Sequence, residues 1–139
     1  MTYRASRYHD ISTGHRVCGH ENKCRHLHGH NYRIHFHCEA GLDTLGRVID
    51  FGVIKQRLCE WVESEWDHKM LIWESDPMLN TLQSIDRDGV KPVPFNPTAE
   101  NMAEYLVKTV APNQLQGTGV VLVSCDVEET RKCSASFRL

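Results

Sequence analysis

Residues 23–38 read KCRHLHGHNYRIHFHC, and the β-strand that they predict is the centre around which the other elements are placed. From His30 onward, apolar and polar side chains alternate, which is typical of a strand that buries one face. The apolar side chains on the face of His30 are Tyr32, Ile34, Phe36 and Cys38. His28 and His30 are two residues apart, so on an extended strand both imidazoles point to the same side. The pair is therefore a candidate for binding one metal ion.

Further strands are predicted before and after this one. Residues 2–13 have mixed polarity and lead into His15. Glycines at 41 and 46 indicate a turn, after which residues 47–49 look like a short return strand. Near the C-terminus a strand opens at Gly119, and a last strand covers residues 135–139. The face expected to be buried in the strand after Gly119 consists of Val121, Val123, Cys125 and Val127.

Two helices are predicted in the middle of the chain. Asp50 is placed to cap the first, whose apolar residues recur at helical spacing to about Trp66. Thr98 is placed to cap the second, and Pro112 is expected to end it. Residues 72–96 contain turn signals and prolines and are assigned no definite element. The order β-β-β-α-α-β-β, with short turns between the strands, predicts an α+β fold with an antiparallel sheet.

Composition narrows the class of protein. The chain has 139 residues, enough for one domain over residues 1–139 with a core of its own. Its 16 basic and 18 acidic residues give a net charge of −2 without a basic run, so nucleic acid is not an expected partner. No apolar run is long enough for a membrane helix, and residues 1–7 lack a signal-peptide core. We therefore expect no membrane partner, a cytoplasmic location and six reduced cysteines.

A catalytic zinc site needs a third protein ligand, because such sites usually take three and keep one position open. His15 is the best candidate, since it ends the first predicted strand and that strand can pair beside the strand of His28 and His30. Zn²⁺ on these three imidazoles is the expected cofactor. The rival histidines, whose ordinary role is a surface or hydrogen-bonded side chain, are His9, His20, His26, His35 and His37.

Cys24 has three interpretations, which the sequence leaves open. A structural thiol would lie in an apolar strand. The neighbours Lys23, Arg25 and His26 instead favour a thiolate, the form that acts as a base or nucleophile. A thiolate is also a possible fourth ligand that would close the zinc site. Spacing alone does not separate these roles.

Two further features are candidates for catalysis. Asp67 precedes His68 at the end of the first predicted helix, and a carboxylate beside an imidazole orients it and favours its protonated form. The alternative is a solvated cap that suits the helix dipole. Glu129 has the strand parity of Val127, so a persistent strand would point its carboxylate into packed structure, where it needs a partner. If the strand ends earlier, Glu129 faces water.

Six motifs occur in order along nearly the whole chain. They are Gly14-His15, Cys24-x3-His28-Gly29-His30, Val48-Ile49-Asp50-Phe51, Asp67-His68, Pro97-Thr98-Ala99-Glu100-Asn101 and Glu129-Thr130. Jointly they resemble the 6-pyruvoyl-tetrahydropterin synthase family. The position of Cys24 before the His-Gly-His run is most similar to the bacterial 6-carboxy-tetrahydropterin synthases of the queuosine pathway.

This resemblance implies the tunnelling fold, in which two helices pack on one face of an antiparallel sheet. In that family the sheets of several subunits join into barrels, often as a hexamer made of two trimers, with active sites at subunit boundaries. The resemblance also implies roles by matching position. His15, His28 and His30 hold Zn²⁺, Cys24 is the proton-abstracting base, His68 supported by Asp67 is a second acid/base group, Glu129 binds the pterin ring, and Thr98 shapes the pterin pocket from another subunit.

The implied substrate is a small molecule, 7,8-dihydroneopterin triphosphate. Its implied conversion is to 6-carboxy-5,6,7,8-tetrahydropterin, with release of acetaldehyde and triphosphate, as a step toward 7-deazaguanine and queuosine. Two alternatives stay open: elimination of triphosphate to give 6-pyruvoyl-tetrahydropterin, and a noncatalytic protein in which Cys24 closes a structural zinc site. Two departures from the family pattern stand out. Lys69 follows His68 where many short bacterial members have a second histidine, and the longer segment 72–96 either covers the pocket or extends the assembly surface.

Overall fold

The fold is built on a six-stranded sheet, seen in a computed structural model that describes residues 3–139. Residue 2, where the first strand was predicted to begin, lies outside the described residues. The strands are β1 (Tyr3–His15), β2 (His28–Ala40), β3 (Met70–Trp73), β4 (Val90–Val93), β5 (Val121–Glu128) and β6 (Ser134–Arg138). In space they follow the order β4-β3-β1-β2-β5-β6.

Both predicted long helices are present. Helix α1 consists of Phe51–Ile54, a π-helical stretch Lys55–Cys59 and Glu60–Glu65; the short helix α2 is Leu79–Ile85; helix α3 consists of Ala99–Tyr105, a π-helical stretch Leu106–Val110 and Ala111–Gln114. The two predicted caps are confirmed. Asp50 accepts a hydrogen bond from the Gly52 N–H at 2.7 Å, and Thr98 accepts one from the Asn101 N–H at 3.1 Å. Within residues 3–139, no helix has the length and apolarity that a bilayer crossing requires.

Helix α3 runs past Pro112, so the predicted end at this residue is wrong. A proline inside an α-helix lacks an N–H, and its ring clashes with the carbonyl four residues before it. Here the preceding turn is π-helical, and the Ala111 N–H donates to the Leu106 carbonyl five residues back. The wider turn accommodates the proline ring, and the helix continues to Gln114.

The sheet is mixed, and the prediction of a fully antiparallel sheet is wrong at one edge. β1 pairs antiparallel with β2 along its whole length, from Tyr3 opposite Ala40 to His15 opposite His28. The pairs β2–β5 and β5–β6 are also antiparallel, but β3 lies parallel to β1 and β4 lies parallel to β3. Parallel neighbours need crossover connections, which contain α1 and α2. The segment 72–96 thus holds α2, β4 and the end of β3.

The predicted return strand at residues 47–49 is wrong. The side chain of Asp43 accepts hydrogen bonds from the N–H groups of Leu45 at 2.9 Å and Arg47 at 3.1 Å. The Asp43 N–H donates to the Arg47 carbonyl at 2.8 Å. Because these backbone groups are satisfied within one turn, the chain enters α1 without adding a strand.

A bulge in β5 changes which of its residues are buried. The register against β2 shifts near Val123. As a result Leu122 is 2% exposed and Val121 is 50% exposed, the reverse of the predicted alternation. After the bulge the prediction is right, since Cys125 and Val127 are both buried.

The core lies between one face of the sheet and the two long helices. Its members include Ile34, Phe36, Cys125 and Val127 from the sheet, Ile54, Leu58 and Val62 from α1, and Met102, Leu106 and Val110 from α3. The six cysteines lie unpaired among the described residues. The opposite face of the sheet is polar, with the side-chain contacts His35–Glu128 and His37–Asp126. The predicted site residues His15 and His28 lie opposite each other where β1 ends and β2 begins.

Candidate metal centre and active site

Three histidines meet where β1 ends and β2 begins. His15 lies opposite His28 in the register of the two strands, and His30 lies opposite Thr13. The ligand atoms of the three imidazoles all lie within 4.8 Å of one another, and the two Nε2 atoms of His15 and His28 are 3.1 Å apart. Over residues 3–139, this is the one group of His, Cys, Asp or Glu side chains with a spacing that suits a shared metal ion.

Hydrogen bonds leave the facing nitrogens of this histidine group free for a metal. His15 Nδ1 is 2.6 Å from the Pro97 carbonyl, and His28 Nδ1 is 2.7 Å from the His26 carbonyl. A carbonyl only accepts, so each Nδ1 carries the hydrogen and each Nε2 keeps its lone pair. His30 Nε2 is buried without a hydrogen-bond partner, which costs free energy unless a ligand satisfies it. These residues fit zinc, which binds neutral imidazole nitrogens.

The imidazoles of His15 and His30 are held in the neutral form. Burial lowers the pKa of His15 to about 4, although its hydrogen bond to Pro97 acts in the opposite direction. Burial also lowers the pKa of His30, against the attraction of the Glu129 carboxylate. A metal binds the neutral form, so at neutral pH no proton has to leave these two rings.

Four of the rival histidines have partners outside the histidine group. His9 contacts Glu63 at 2.6 Å, His20 accepts from the Asn22 N–H at 2.8 Å, His35 contacts Glu128 at 3.3 Å and His37 contacts Asp126 at 2.6 Å. The fifth, His26, supplies the carbonyl that orients His28. The structure therefore places none of the five imidazoles in the group.

A cavity of about 320 Å³ brings together three of the predicted site residues, because Cys24, Thr98 and Glu129 all line it. Cys24 lies on the 3₁₀ turn Lys23–Arg25, and its carbonyl accepts from the Val17 N–H at 2.8 Å. Its thiol is not part of the histidine group. Thr98 lines the cavity of its own chain while its hydroxyl caps α3. Cys24 therefore lines the cavity and is not a member of the histidine group.

Glu129 connects this cavity with the histidines. Its Oε1 lies 3.6 Å from His15 Nε2 and 3.8 Å from His30 Nε2. It also lines a second, larger cavity of about 1030 Å³, together with His30 and Asp67. The Glu129 side chain is 23% exposed, and an ionised carboxylate of this kind accepts paired hydrogen bonds.

Asp67 and His68 form a pair beside the histidine group. Asp67 accepts from the Ser12 N–H at 2.8 Å with one oxygen and contacts His68 Nδ1 at 2.7 Å with the other. Burial opposes ionisation of Asp67, but the hydrogen bonds from Ser12 and His68 lower its pKa on balance. His68 has a left-handed backbone (φ 59°) and a side chain that is 80% exposed. It lines a cavity of about 510 Å³ with His30 and Lys69.

Two groups that the sequence did not predict contact and orient His15. The Pro97 carbonyl holds His15, although the two residues are 82 positions apart and no local pattern connects them. Tyr32 is fully buried, and its hydroxyl lies 3.2 Å from Nδ1 and 3.3 Å from Nε2 of His15. Its position two residues after His30 on the same strand face was the available signal for Tyr32.

Comparison with known proteins finds relatives over nearly the whole chain. The model of the 6-pyruvoyl tetrahydropterin synthase family matches residues 4–139. A 6-carboxy-5,6,7,8-tetrahydropterin synthase of Rickettsia typhi is 33% identical over 132 residues, which cover 94% of this chain and 96% of the relative. A probable 6-carboxy-5,6,7,8-tetrahydropterin synthase of Halobacterium salinarum is 36% identical over 126 residues, covering 90% of this chain and 79% of the relative.

Solved structures share the fold. An uncharacterised protein from Wolinella succinogenes superposes with a TM-score of 0.86 at 24% identity, covering 99% of this chain and 98% of that one. The 6-pyruvoyl tetrahydropterin synthase of Caenorhabditis elegans superposes with a TM-score of 0.71 at 20% identity, covering 100% and 96%. With the family match over nearly its whole length, the chain belongs to the 6-pyruvoyl tetrahydropterin synthase family of enzymes.

Proposed function

We propose that this enzyme carries out the zinc-dependent conversion of 7,8-dihydroneopterin triphosphate to 6-carboxy-5,6,7,8-tetrahydropterin, a step toward 7-deazaguanine and queuosine. Relatives that match more than nine-tenths of the chain are named for this product. The observation that carries the proposal is the position of Glu129, which is 3.6 Å from His15 Nε2 and lines the same cavity as Cys24. A metal-binding group, a thiol and a carboxylate for the pterin ring therefore serve one site.

The proposed reaction is a carbon–carbon lyase reaction that balances without an external oxidant. The bond between C1′ and C2′ of the substrate side chain breaks, and the bond between C3′ and oxygen breaks to release triphosphate. C1′ stays on the ring as the carboxyl group after uptake of one water, while C2′ and C3′ leave as acetaldehyde. The electrons lost by C1′ and C2′ reduce C3′ to a methyl group and the ring to tetrahydropterin.

Cys24 and His68 carry out the acid/base steps of this proposed reaction. As a thiolate, Cys24 removes a proton from the substrate side chain in its cavity. His68 passes a proton during the rearrangement, and Asp67 orients its ring through the 2.7 Å contact with Nδ1.

Binding and orientation fall to the histidine group, Glu129 and Thr98. Zinc held by the histidine group would supply Lewis-acid polarisation of hydroxyl groups, which would make their protons more acidic. The Glu129 carboxylate accepts hydrogen bonds from the guanidine-like edge of the pterin ring and so fixes its direction. Thr98 shapes the wall of the cavity beside Cys24.

We further propose a cytoplasmic homo-oligomer, a hexamer of two trimers, whose sheets join into barrels with active sites at subunit boundaries. The support in this chain is His68, whose side chain is 80% exposed although the proposed chemistry requires it to meet substrate. A neighbouring subunit would enclose such a side chain.

The second candidate function is the elimination of triphosphate to give 6-pyruvoyl-tetrahydropterin, which the description of the matching family favours. It would use the same metal, base and ring contacts, and only the product differs. A noncatalytic zinc protein is less well supported, because Cys24 lies outside the histidine group.

Product identification tests the proposal directly. The zinc-loaded protein is incubated anaerobically with 7,8-dihydroneopterin triphosphate, and the products are identified by mass spectrometry, with Cys24→Ala as the matched control. We expect 6-carboxy-5,6,7,8-tetrahydropterin and an equal amount of acetaldehyde. A 6-pyruvoyl product would establish the second candidate, and unchanged substrate would contradict both.

A further inference from the structure

An ion pair between the partly exposed Arg16 and the buried Asp76, which the proposed reaction does not use, lies next to the site. Arg16 Nε donates to Asp76 Oδ2 at 2.8 Å, and the exposed fractions of the two side chains are 17% and 0%. The other carboxylate oxygen of Asp76 accepts from the Met78 N–H at 2.9 Å. Desolvating the Asp76 carboxylate costs free energy that an apolar side chain would not, so stability alone is a weak explanation of the pair.

Arg16 also contacts the turn that carries Cys24. Its Nη1 donates to the Arg25 carbonyl at 2.6 Å, one residue after the thiol. Arg16 itself follows His15 directly, and the next residue, Val17, donates its N–H to the Cys24 carbonyl at 2.8 Å. The guanidinium therefore connects the backbone next to a histidine of the metal centre with the backbone next to the thiol.

Both ends of the segment 72–96 contact the residues that follow His15. Asp76 binds Arg16 near the start of the segment. At the other end, Asn96 accepts from the Cys18 N–H and donates to the Cys18 carbonyl, both at 2.9 Å. Residues 16–27, which we call the site loop, are thus attached to this segment at two points.

We propose that Arg16 and Asp76 are positioning residues that set the orientation of Cys24 relative to the histidine group. The inference deepens the proposed function, since it rests on Cys24 acting on substrate. A planar guanidinium donates in two directions at once, here to Asp76 and to the Arg25 carbonyl, and a single amine or amide does not reproduce that geometry. Displacement of a reacting group by about 1 Å is enough to lower turnover about 100-fold.

Three variants and one control test the positioning role. Asp76→Asn and Arg16→Gln each remove one charge and leave its partner unpaired. The double variant removes both charges, so the role can still be tested if a single variant unfolds. The control is Glu39→Gln, which removes the carboxylate of another arginine pair, Arg4–Glu39, at the opposite end of β1 and β2.

The first readout needs no substrate: the rate of Cys24 alkylation by iodoacetamide between about pH 6 and 9, followed by peptide mass spectrometry. Zinc content, kcat and KM with 7,8-dihydroneopterin triphosphate are measured on the same samples. We expect the folded double variant to keep its zinc, to change its alkylation rate by about threefold or more and to lose about tenfold or more in kcat with little change in KM. The control should match the unmodified protein in every readout.

The outcomes separate this inference from the proposed function. An alkylation profile that the folded double variant shares with the unmodified protein would overturn the positioning role, whatever the enzyme produces. A changed alkylation profile supports the positioning role even if the unmodified protein does not convert the substrate. In that case the proposed function is wrong. Equal changes in the Glu39→Gln control would show a general loss of stability and would also overturn the inference.

Discussion

Lowering the pH should destabilise the metal-free protein through His15. Burial lowers the pKa of this imidazole from 6.5 to about 4. Between these two values the unfolded chain binds a proton that the folded state does not, so unfolding takes up a proton. The free energy of unfolding therefore falls as the pH falls through this window, and the loss is complete below the folded pKa.

The magnitude follows from the difference between the two pKa values. A shift of about 2.5 units at about 1.36 kcal/mol per unit removes about 3 kcal/mol by pH 4 and about 2 kcal/mol by pH 5. Domains of this kind are stable by only about 5–15 kcal/mol, so the loss is a large fraction of the total. His30 acts in the same direction, because burial lowers its pKa as well.

Urea unfolding measures this loss. The protein is first freed of metal with a chelator, and tryptophan fluorescence follows its unfolding at several pH values between about 7.5 and 4.5. The matched control is His15→Asn, whose amide keeps a donor for the Pro97 carbonyl but does not titrate. The lowered carboxyl pKa values, such as those of Asp67 and Asp126, act at lower pH and outside this window. If the unmodified protein and His15→Asn lose the same free energy, the reasoning is wrong.

Three further substitutions test the site and the core. Cys24→Ala should keep its zinc and lose turnover by about 100-fold or more, because it removes the proposed base. Loss of zinc together with the fold would make Cys24 a structural ligand instead. Glu129→Gln should raise KM by about 10- to 100-fold, since a charge-assisted hydrogen bond contributes about 1.5–3 kcal/mol; an unchanged KM would remove Glu129 from ring recognition. Phe36→Ala should lower the free energy of urea unfolding by about 3–5 kcal/mol because Phe36 is fully buried, whereas the 58% exposed Phe51 should tolerate alanine far better.

Elements that depend on neighbours along the chain were predicted well. The alternation after His30 predicted β2, and helical spacing with a capping side chain predicted α1 and α3 at Asp50 and Thr98. The same local logic placed His28 and His30 on one face. The prediction that His15 joins them followed from this placement. The strand that ends at His15 was expected to pair with β2, and adjacent antiparallel strands bring their ends together.

Elements that depend on distant partners were predicted poorly. The bulge near Val123 exists because β5 pairs with β2, and the helix passes Pro112 because a π turn precedes it. The parallel pairings of β3 and β4 require crossovers whose direction no local period encodes.

For the site, the sequence by itself specified which side chains are available: three histidines, a thiol, an acid–imidazole pair and a late carboxylate, each in a recognisable order. Tertiary structure alone decided their chemistry. It buried His15 and lowered its pKa, turned its Nδ1 to Pro97, and tied Arg16 to Asp76. Desolvation and hydrogen-bond geometry depend on what surrounds an atom in space, and residues 60 to 82 positions apart supply those surroundings here.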